Sequence, residues 1–212
     1  MLFRSVRIHA FLESERFTLY LDTSGDALFR RATRASRTEA PLRDNLAAGI
    51  LRLAGWKPGI PLLDPMCGSG TFLLEAVRMS LDMAPGLQRA FGFERLRGFD
   101  ARAWQALHAR AQARCRPVSR LPIWGSDISG TALSQARANL AAAGLEEAVH
   151  LKQVNVLEAS PPAPAGIMIA NPPYGVRLGS EEELAAFYPR LGDVLKQRFA
   201  GWTCHLFTAD AR

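Results

Sequence analysis

The chain has 212 residues, of which 48% are hydrophobic, and a formal net charge of +6 at pH 7. This length and apolar content can bury one sizeable core, and no second complete domain fits. No apolar run is long enough to cross a bilayer and the first residues lack a signal-peptide core, so the sequence predicts a cytoplasmic protein without membrane contact. The three cysteines lie far apart and give neither a disulfide framework nor a metal-ligand spacing, so no metal is expected.

The first predicted elements are two strands, roughly Val6 to Leu12 and Phe17 to Leu21, joined by the polar segment 13–16. A hairpin of this size is marginally stable when isolated. Four arginines, at positions 30, 31, 34 and 37, follow it. With the positive net charge they indicate either a surface that neutralises RNA phosphates or only a solvated face.

A strand, a glycine turn and an amphipathic helix are predicted between Leu62 and Val77. Gly68 and Gly70 let the backbone turn tightly and approach a ligand, and the helix start offers amide hydrogens to a carboxylate. A dinucleotide-binding turn would need a third glycine where Leu73 stands, and no phosphate-loop sequence is present. Asp64 would repel a pyrophosphate but attract an ammonium group. The pattern therefore points to S-adenosylmethionine.

The stretch from Met79 to Val118 interrupts the alternation of strands and helices. A helix is predicted inside it, because Trp104 and His108 belong to an apolar series at helical spacing, and three phenylalanines precede that series. We expect these aromatic side chains to pack against the flank of the sheet rather than to stack on a base. A second group of arginines, at positions 110, 114, 116 and 120, is again either an RNA-binding surface or a solvated face.

Two further core strands are predicted to end in polar residues. The strand that begins at Leu121 ends at Asp127, whose carboxylate could hold both hydroxyls of a ribose. Alternatively, Asp127 and Ser129 merely begin the following helix, where short oxygen-bearing side chains cap free amides. The strand 149–154 ends at Asn155, whose amide oxygen could accept a hydrogen bond from an adenine amine. That bond would be weaker than one to a carboxylate, because both partners are neutral.

The run Gly166–Ala170 reads as a buried strand, and Asn171-Pro172-Pro173-Tyr174 follows it directly. Open α/β sheets bind ligands at the carboxyl ends of their strands. The Asn171 amide oxygen and the Pro172 carbonyl can accept the hydrogens of a planar amine, while Tyr174 offers a stacking face to a base taken out of its helix. A proline-rich turn is the other interpretation. Beside a pocket for S-adenosylmethionine, the motif predicts direct methyl transfer to an exocyclic amine.

A helix from near Ser180 and a fifth core strand, 203–208, complete the predicted elements. Taken together, the two motifs and the predicted elements resemble the large-subunit ribosomal RNA guanine-N2 methyltransferases that carry an RNA-binding THUMP domain ahead of the catalytic domain. The likeness extends beyond the two motifs to the segments 17–31, 40–48 and 84–94, and so to nearly the whole chain. The Asn-Pro-Pro-Tyr motif alone would also fit adenine-N6 methyltransferases of DNA or RNA and glutamine-N5 methyltransferases of proteins.

The resemblance implies a class I methyltransferase fold, an α/β doubly wound Rossmann-like sheet, here without its last two strands. Residues 1–37 would be the C-terminal hairpin remnant of a THUMP module with its linker, and residues 38–212 the methyltransferase domain. The chain would then be a fragment whose exposed sheet edge allows self-association, or a non-catalytic RNA-binding piece. The implied substrate is 23S ribosomal RNA, at N2 of a guanine.

The candidate residues fall into two groups. The catalytic candidates are Asn171, Pro172, Pro173 and Tyr174. The candidates for binding S-adenosylmethionine are Asp64, Pro65, Cys67, Gly68, Gly70, Thr71, Asp127, Ile128, Asn155, Val156 and Asn171. Cys67 is expected to pack as a small apolar side chain rather than to act as a nucleophile.

Overall fold

A computed structural model describes residues 6–28, 42–172 and 181–208, without the side chains of 181–185. The strands are β1 (Ile8–Glu13), β2 (Arg16–Leu21), β3 (Leu62–Asp64), β4 (Ile123–Asp127), β5 (His150–Gln153), β6 (Gly166–Ala170) and β7 (Trp202–Leu206). The α-helices are α1 (Asp44–Leu53), α2 (Thr71–Ser80), α3 (Ala101–Ala113), α4 (Gly130–Ala142) and α5 (Glu181–Arg198). No helix among the described residues is long and apolar enough to cross a bilayer.

Contacts divide the chain into two compact units. One unit contains residues 1–32 and 82–116, and the other contains residues 33–81 and 117–212. The insertion 82–116 therefore belongs with the N-terminal hairpin and not with the sheet. The division into residues 1–37 and 38–212 did not anticipate this grouping and stays a prediction about domains.

The predicted hairpin is present, with β1 and β2 antiparallel and Ile8 paired with Leu21. The turn between them places Ser14 at a φ of 53°. Because side chains alternate along a strand, this register puts six apolar residues on one face of the hairpin. These residues are Ile8, Ala10, Leu12, Phe17, Leu19 and Leu21. All of them are exposed to solvent in the described structure.

The insertion holds the segment that follows the hairpin through hydrogen bonds to the backbone carbonyls of that segment. The Phe93 amide donates to the Thr23 carbonyl at 2.9 Å, and the Arg89 guanidinium donates to the carbonyls of Ser24 and Asp26. The two backbones touch at Gly92, where an added Cβ would lie 2.6 Å from the Asp22 carbonyl oxygen. A glycine is therefore required at position 92.

The aromatic side chains of the insertion pack on one another. The rings of Phe91 and Phe93 stack at 5.2 Å, and both meet the Trp104 ring edge-on, at 5.6 and 4.9 Å. The predicted helix is α3, and the His108 ring nitrogen lies 2.7 Å from the Leu87 carbonyl oxygen. The insertion thus contains its own small aromatic cluster. Its expected packing on the sheet would join the two units and stays a prediction.

The other unit is built on a parallel sheet with the order β5-β4-β3-β6-β7 in the described residues. The predicted α/β doubly wound sheet is confirmed, with strand bounds shifted by one or two residues. The chain runs outward from β3 to β5 and then returns to the other side of β3, so the strand order reverses between β3 and β6. Ligands bind at such reversals, outside the carboxyl ends of the strands.

The core of this unit is apolar on both faces of the central strands. Leu62, Ile123, Met168 and Ile169 are at most 1% exposed. Burial on both faces is typical of a parallel sheet covered by helices, and it explains the short apolar runs in the sequence. The helix α2 packs closely on β4 because Gly125 leaves room there for a leucine side chain of the helix.

Two arginines of the second group form hydrogen bonds within the chain. Arg114 forms a two-pronged contact with the Asp82 carboxylate at 2.8 and 3.0 Å, and Arg120 donates to the Val149 carbonyl at 2.9 Å. The arginines at positions 30–37 lie outside the described residues. An RNA-binding role for either group of arginines stays a prediction.

The close approach at Gly92 predicts the effect of adding one methyl group. Gly92→Ala should weaken the unit that contains the hairpin by about 1–3 kcal/mol, because the backbone opposite must move. Native-state hydrogen exchange of the amides in residues 22–28 and 89–93 measures this free energy. Gly98→Ala is the matched control, since a Cβ there meets nothing within 4 Å. Equal protection in the two variants would contradict the prediction.

Candidate cofactor pocket and methyl-transfer site

Three neighbouring strands bring the predicted polar residues to one edge of the sheet. Asp127 ends β4, Asp64 ends β3, and Asn171 follows β6 directly. The strands are parallel, and Leu63 of β3 pairs with Trp124 of β4 and with Met168 of β6. Their carboxyl ends therefore lie at the same edge of the sheet, where β4 continues two residues beyond the partner of Asp64. The glycine turn and the Asn171 segment leave the same edge of the sheet, on the two sides of the reversal in strand order.

The glycine turn between β3 and α2 is held by backbone hydrogen bonds. The Cys67 amide donates to the Ser126 carbonyl at 2.9 Å, and the Gly70 amide donates to the Cys67 carbonyl at 2.8 Å. Gly68 and Gly70 have φ values of 52° and 81°, which glycine adopts without the strain that a Cβ brings. An added Cβ at Gly68 would meet nothing within 4 Å, whereas one at Gly70 would lie 3.3 Å from the Ala136 Cβ. The turn thus faces open space at Gly68 and packs on α4 at Gly70.

Asp64 is the most deeply buried acid of the site. It is 1% exposed, and one of its oxygens accepts a 3.3 Å hydrogen bond from the Met66 amide. Burial raises the pKa of this carboxyl well above its ordinary value, and the negative charge of Asp127 raises it further. A cation bound beside Asp64 would favour the ionised carboxylate. The predicted ammonium group meets that requirement.

Cys67 lies in the same turn as a protonated thiol. Burial raises its pKa well above the ordinary value, and the charges of Asp64 and Asp127 add to the effect. A nucleophilic cysteine needs the opposite shift. The structure therefore agrees with Cys67 as a packing residue, which stays a prediction for its role in the site.

The Asp127 carboxylate holds two parts of the chain. One oxygen accepts a 2.9 Å hydrogen bond from the Gly68 amide, and the other accepts one from the Ser129 amide, also at 2.9 Å. Ser129 caps α4 by accepting from the Ala132 amide at 3.3 Å. Asp127 therefore belongs to β4 and ties the glycine turn to it, while each carboxylate oxygen keeps lone pairs for ribose hydroxyls.

The other residues predicted to contact the cofactor differ in their exposure to solvent and in their hydrogen bonds. The Ile128 side chain, next to Asp127, is 65% exposed, whereas Val156 is buried. The Asn155 amide oxygen accepts a 3.0 Å hydrogen bond from the Leu157 amide, which caps the short helix Val156–Glu158. The acceptor predicted for adenine thus already has a backbone partner. Pro65 and Thr71 are buried at the two ends of the turn.

Asn171 has the most unusual environment of the candidate catalytic residues. Its amide oxygen is buried, and within the described residues no donor reaches it. The segment starts from a fixed point, because the Ala170 carbonyl accepts a 2.8 Å hydrogen bond from the amide of Phe207, the residue that follows the neighbouring strand β7. Pro172 is buried. Pro173 and Tyr174 lie outside the described residues.

Asn139 is a residue of the site that the sequence analysis missed. It lies on α4, is fully buried, and donates a 3.1 Å hydrogen bond to the Ser69 carbonyl of the glycine turn. One signal was present in the sequence. An asparagine stands on the apolar stripe of the helix, where a polar side chain needs a specific partner.

The comparison with known protein families decides the classification. A model of the RMKL-like methyltransferase domain matches residues 31–212. The chain belongs to the RMKL-like methyltransferase domain family. This match contains every candidate residue of the site. The THUMP part of the resemblance stays a prediction.

Two curated relatives carry RNA methyltransferase names. A proposed RNA methyltransferase of Synechocystis is 43% identical over 204 residues, which are 96% of this chain and 53% of the relative. The ribosomal RNA large subunit methyltransferase K/L of Photobacterium profundum is 42% identical over 211 residues, covering 97% of this chain and 30% of the relative. The chain thus spans between about a third and about half of the length of these RMKL-like relatives.

The solved structures confirm the fold of the family. SMU.472, a proposed methyltransferase crystallised in complex with SAH, matches with a TM-score of 0.89 and 33% identity over 97% of this chain and 54% of that protein. The RMKL-like chain therefore has the class I methyltransferase fold.

The buried acid of this RMKL-like domain predicts a dependence of stability on pH. The folded-state pKa of Asp64 lies above its ordinary value of 3.8, so its contribution to stability is present below that value and is lost as the pH rises through the folded-state pKa. Asp64→Asn removes the titration. The variant should therefore gain free energy of unfolding over the unliganded wild type as the pH rises from about 4 to 8.

Urea unfolding across this pH range measures the difference. The expected outcome is a gap between the two proteins that widens with pH. A constant gap would show that the Asp64 carboxyl titrates as an ordinary exposed group, and a gap that narrows towards pH 8 would show a folded-state pKa below the ordinary value; either result contradicts the prediction.

Proposed function

We propose that the protein is an S-adenosylmethionine-dependent methyltransferase that modifies an exocyclic base amine in large-subunit ribosomal RNA, at N2 of a guanine in 23S RNA. The observation that carries the proposal is the buried amide oxygen of Asn171, to which no donor among the described residues is bonded, at the sheet edge that also bears the glycine turn. A buried acceptor without a donor costs about 1–3 kcal/mol, so a site that keeps one is built for a ligand that donates.

The described residues fit the cofactor. Two carboxylates end adjacent strands, Asp64 for the ammonium group and Asp127 for the ribose hydroxyls, and Gly68 leaves open space beside them. The exposed Ile128 offers an apolar surface to the adenine ring, with Asn155 and Val156 at the end of the next strand. When bound, S-adenosylmethionine supplies a methyl group activated by its sulfonium. The SAH in the SMU.472 complex supports this assignment.

Asn171 orients the amine that accepts the methyl group. The lone pair of an exocyclic amine is delocalised into the ring, so the amine is a weak nucleophile. Acceptors at the Asn171 side chain and the Pro172 carbonyl would hold its hydrogens and turn the lone pair towards the methyl group. Pro173 would keep the segment rigid, and Tyr174 would stack on the base. The reaction needs no covalent bond to the enzyme, which agrees with the protonated Cys67.

The relatives support a ribosomal substrate, and the sequence resemblance supports the choice of guanine. The K/L methyltransferase of the large ribosomal subunit favours an RNA substrate, and an enzyme with such a substrate would act in the cytoplasm. The Asn171 segment by itself also fits adenine N6 or a glutamine amide. Self-association through the outer edge of β7 is a separate prediction, which sedimentation would test.

The orienting role of Asn171 predicts separate effects on turnover and on cofactor binding. Asn171→Ala should lower kcat by about 100-fold or more, as for other groups that act only in the transition state. The Kd for S-adenosylhomocysteine (SAH) should stay within about twofold of wild type, because the proposal assigns the amide oxygen to the substrate amine; a larger change would show that Asn171 acts as the cofactor contact also predicted from the sequence. Methyl incorporation into undermethylated ribosomal RNA and calorimetry with SAH give the two numbers.

Asn171→Asp is the matched control, since it keeps the size of the side chain and an acceptor oxygen. It should retain more activity than the alanine variant. Normal turnover in Asn171→Ala would end the proposal. Nucleoside analysis of the product separates the remaining alternatives: methylation at guanine N2 supports the proposal, whereas methylation at adenine N6 or of a protein glutamine contradicts it. RNA binding without SAH binding would support the alternative that the chain is a non-catalytic RNA-binding protein.

The proposed role of Asp127 predicts the opposite result, a large effect on cofactor binding and a smaller one on turnover. Asp127→Ala should raise the Kd for SAH by about tenfold or more, because the ribose loses its acceptors and the Gly68 amide loses its partner. At saturating cofactor, kcat should fall less than in the Asn171 variant. Calorimetry and steady-state kinetics on the same preparations check this order, and an unchanged Kd would exclude Asp127 from the pocket.

A further inference from the structure

A fully buried asparagine packs against the glycine turn from the side of α4. Asn139 is 0% exposed and lies among Leu133, Ala136 and Leu140, which are equally buried on the same helix. An amide in such surroundings is unfavourable unless it is hydrogen-bonded. Its Nδ2 atom donates to the Ser69 carbonyl at 3.1 Å, across 70 residues of sequence. The polar side chain at this position therefore has a specific purpose at the turn.

The contact fixes one peptide group of the turn on both sides. Asn139 holds the carbonyl of the Ser69–Gly70 peptide, and the amide of the same peptide donates to the Cys67 carbonyl at 2.8 Å. One helical turn before Asn139, Ala136 lies where a Cβ on Gly70 would come within 3.3 Å. The helix thus sets both the position and the orientation of this peptide.

Such an anchor is needed because glycines flank Ser69. Gly68 and Gly70 both have positive φ values, 52° and 81°, and glycine populates several alternative conformations at little cost. Without a hydrogen bond to the Ser69 carbonyl, the Ser69–Gly70 peptide group could rotate. Rotation would change the direction of the neighbouring amide hydrogens.

The anchored residue also carries the amide that remains for a ligand. The amides of Cys67, Gly68 and Gly70 donate to Ser126, Asp127 and Cys67. Within the described part of the chain, the structure gives the Ser69 amide no acceptor. Among these four residues of the turn, Ser69 is thus the one with an amide hydrogen for an anionic group.

We propose that Asn139 is a positioning residue of the cofactor pocket: by holding the Ser69 carbonyl it fixes the backbone of Ser69, so that the amide of this residue, in the preceding peptide group, meets the carboxylate of the cofactor. The proposal rests on the proposed function, because it assumes that S-adenosylmethionine binds at this turn. Asn139 touches no ligand itself and acts through the turn. Its effect should therefore appear in cofactor affinity and not in the handling of RNA.

Two substitutions test the hydrogen bond. Asn139→Asp keeps the shape but turns an acceptor oxygen towards the Ser69 carbonyl, and Asn139→Leu keeps most of the volume without a donor. We expect each to raise the Kd for SAH by about tenfold while the KM for RNA stays unchanged. Hydrogen exchange of the Gly70 amide, which donates to the Cys67 carbonyl, should become faster in the unliganded variants than in wild type. If Asn139→Asp does not fold, Asn139→Leu decides.

Leu140→Ala is the matched control for a general loss of stability. Leu140 is the next residue of α4, is equally buried and offers no hydrogen bond to the turn. At a temperature at which all variants are folded, its Kd for SAH should remain within about twofold of wild type. If the Asn139 variants bind SAH as tightly as Leu140→Ala does, Asn139 has only a structural role and the inference is wrong. Failure of the wild-type protein to bind SAH would instead overturn the proposed function.

Discussion

The hydrogen bond between the Gly68 amide and the Asp127 carboxylate, at 2.9 Å, ties the glycine turn after β3 to the end of β4. It is charge-assisted and therefore stronger than a bond between neutral groups. The second oxygen of Asp127 holds the Ser129 amide at the start of α4, and that helix returns to the turn through Asn139 and the Ser69 carbonyl. Strand end, turn and helix thus form one hydrogen-bonded circuit. The circuit keeps a turn with two positive-φ glycines in a single conformation.

Two groups of the site lower the stability of the unliganded protein. Asp64 is a buried acid whose pKa is raised by desolvation, and the Asn171 amide oxygen is buried without a partner among the described residues. Both features weaken folding. In the proposed function, the ammonium group of the cofactor would relieve the first and an amine hydrogen of the substrate would relieve the second. Groups that remain unsatisfied in this way concentrate at functional sites.

The hairpin and the insertion show how distant segments can form one unit. Arg89 and the Phe93 amide hold residues 23–26, and the aromatic cluster of the insertion lies directly behind them. A two-stranded hairpin buries too little apolar surface to be stable alone. Its attachment to the insertion supplies that support, which is why contacts group residues 82–116 with the N-terminus.

The sequence alone determined the local elements and the kind of ligand. Apolar runs gave the strands, helical spacing gave the helices, and Gly68, Gly70 and Asp64 indicated the cofactor, because these signals arise from neighbours in the chain. Partners far apart in sequence were decided only by the tertiary structure. The bond of Asn139 to Ser69 spans 70 residues, the bond of Asp127 to Gly68 spans 59, and the insertion joins the hairpin across a similar distance. No local pattern specifies such contacts, since they form only when the tertiary structure brings distant segments of the chain together.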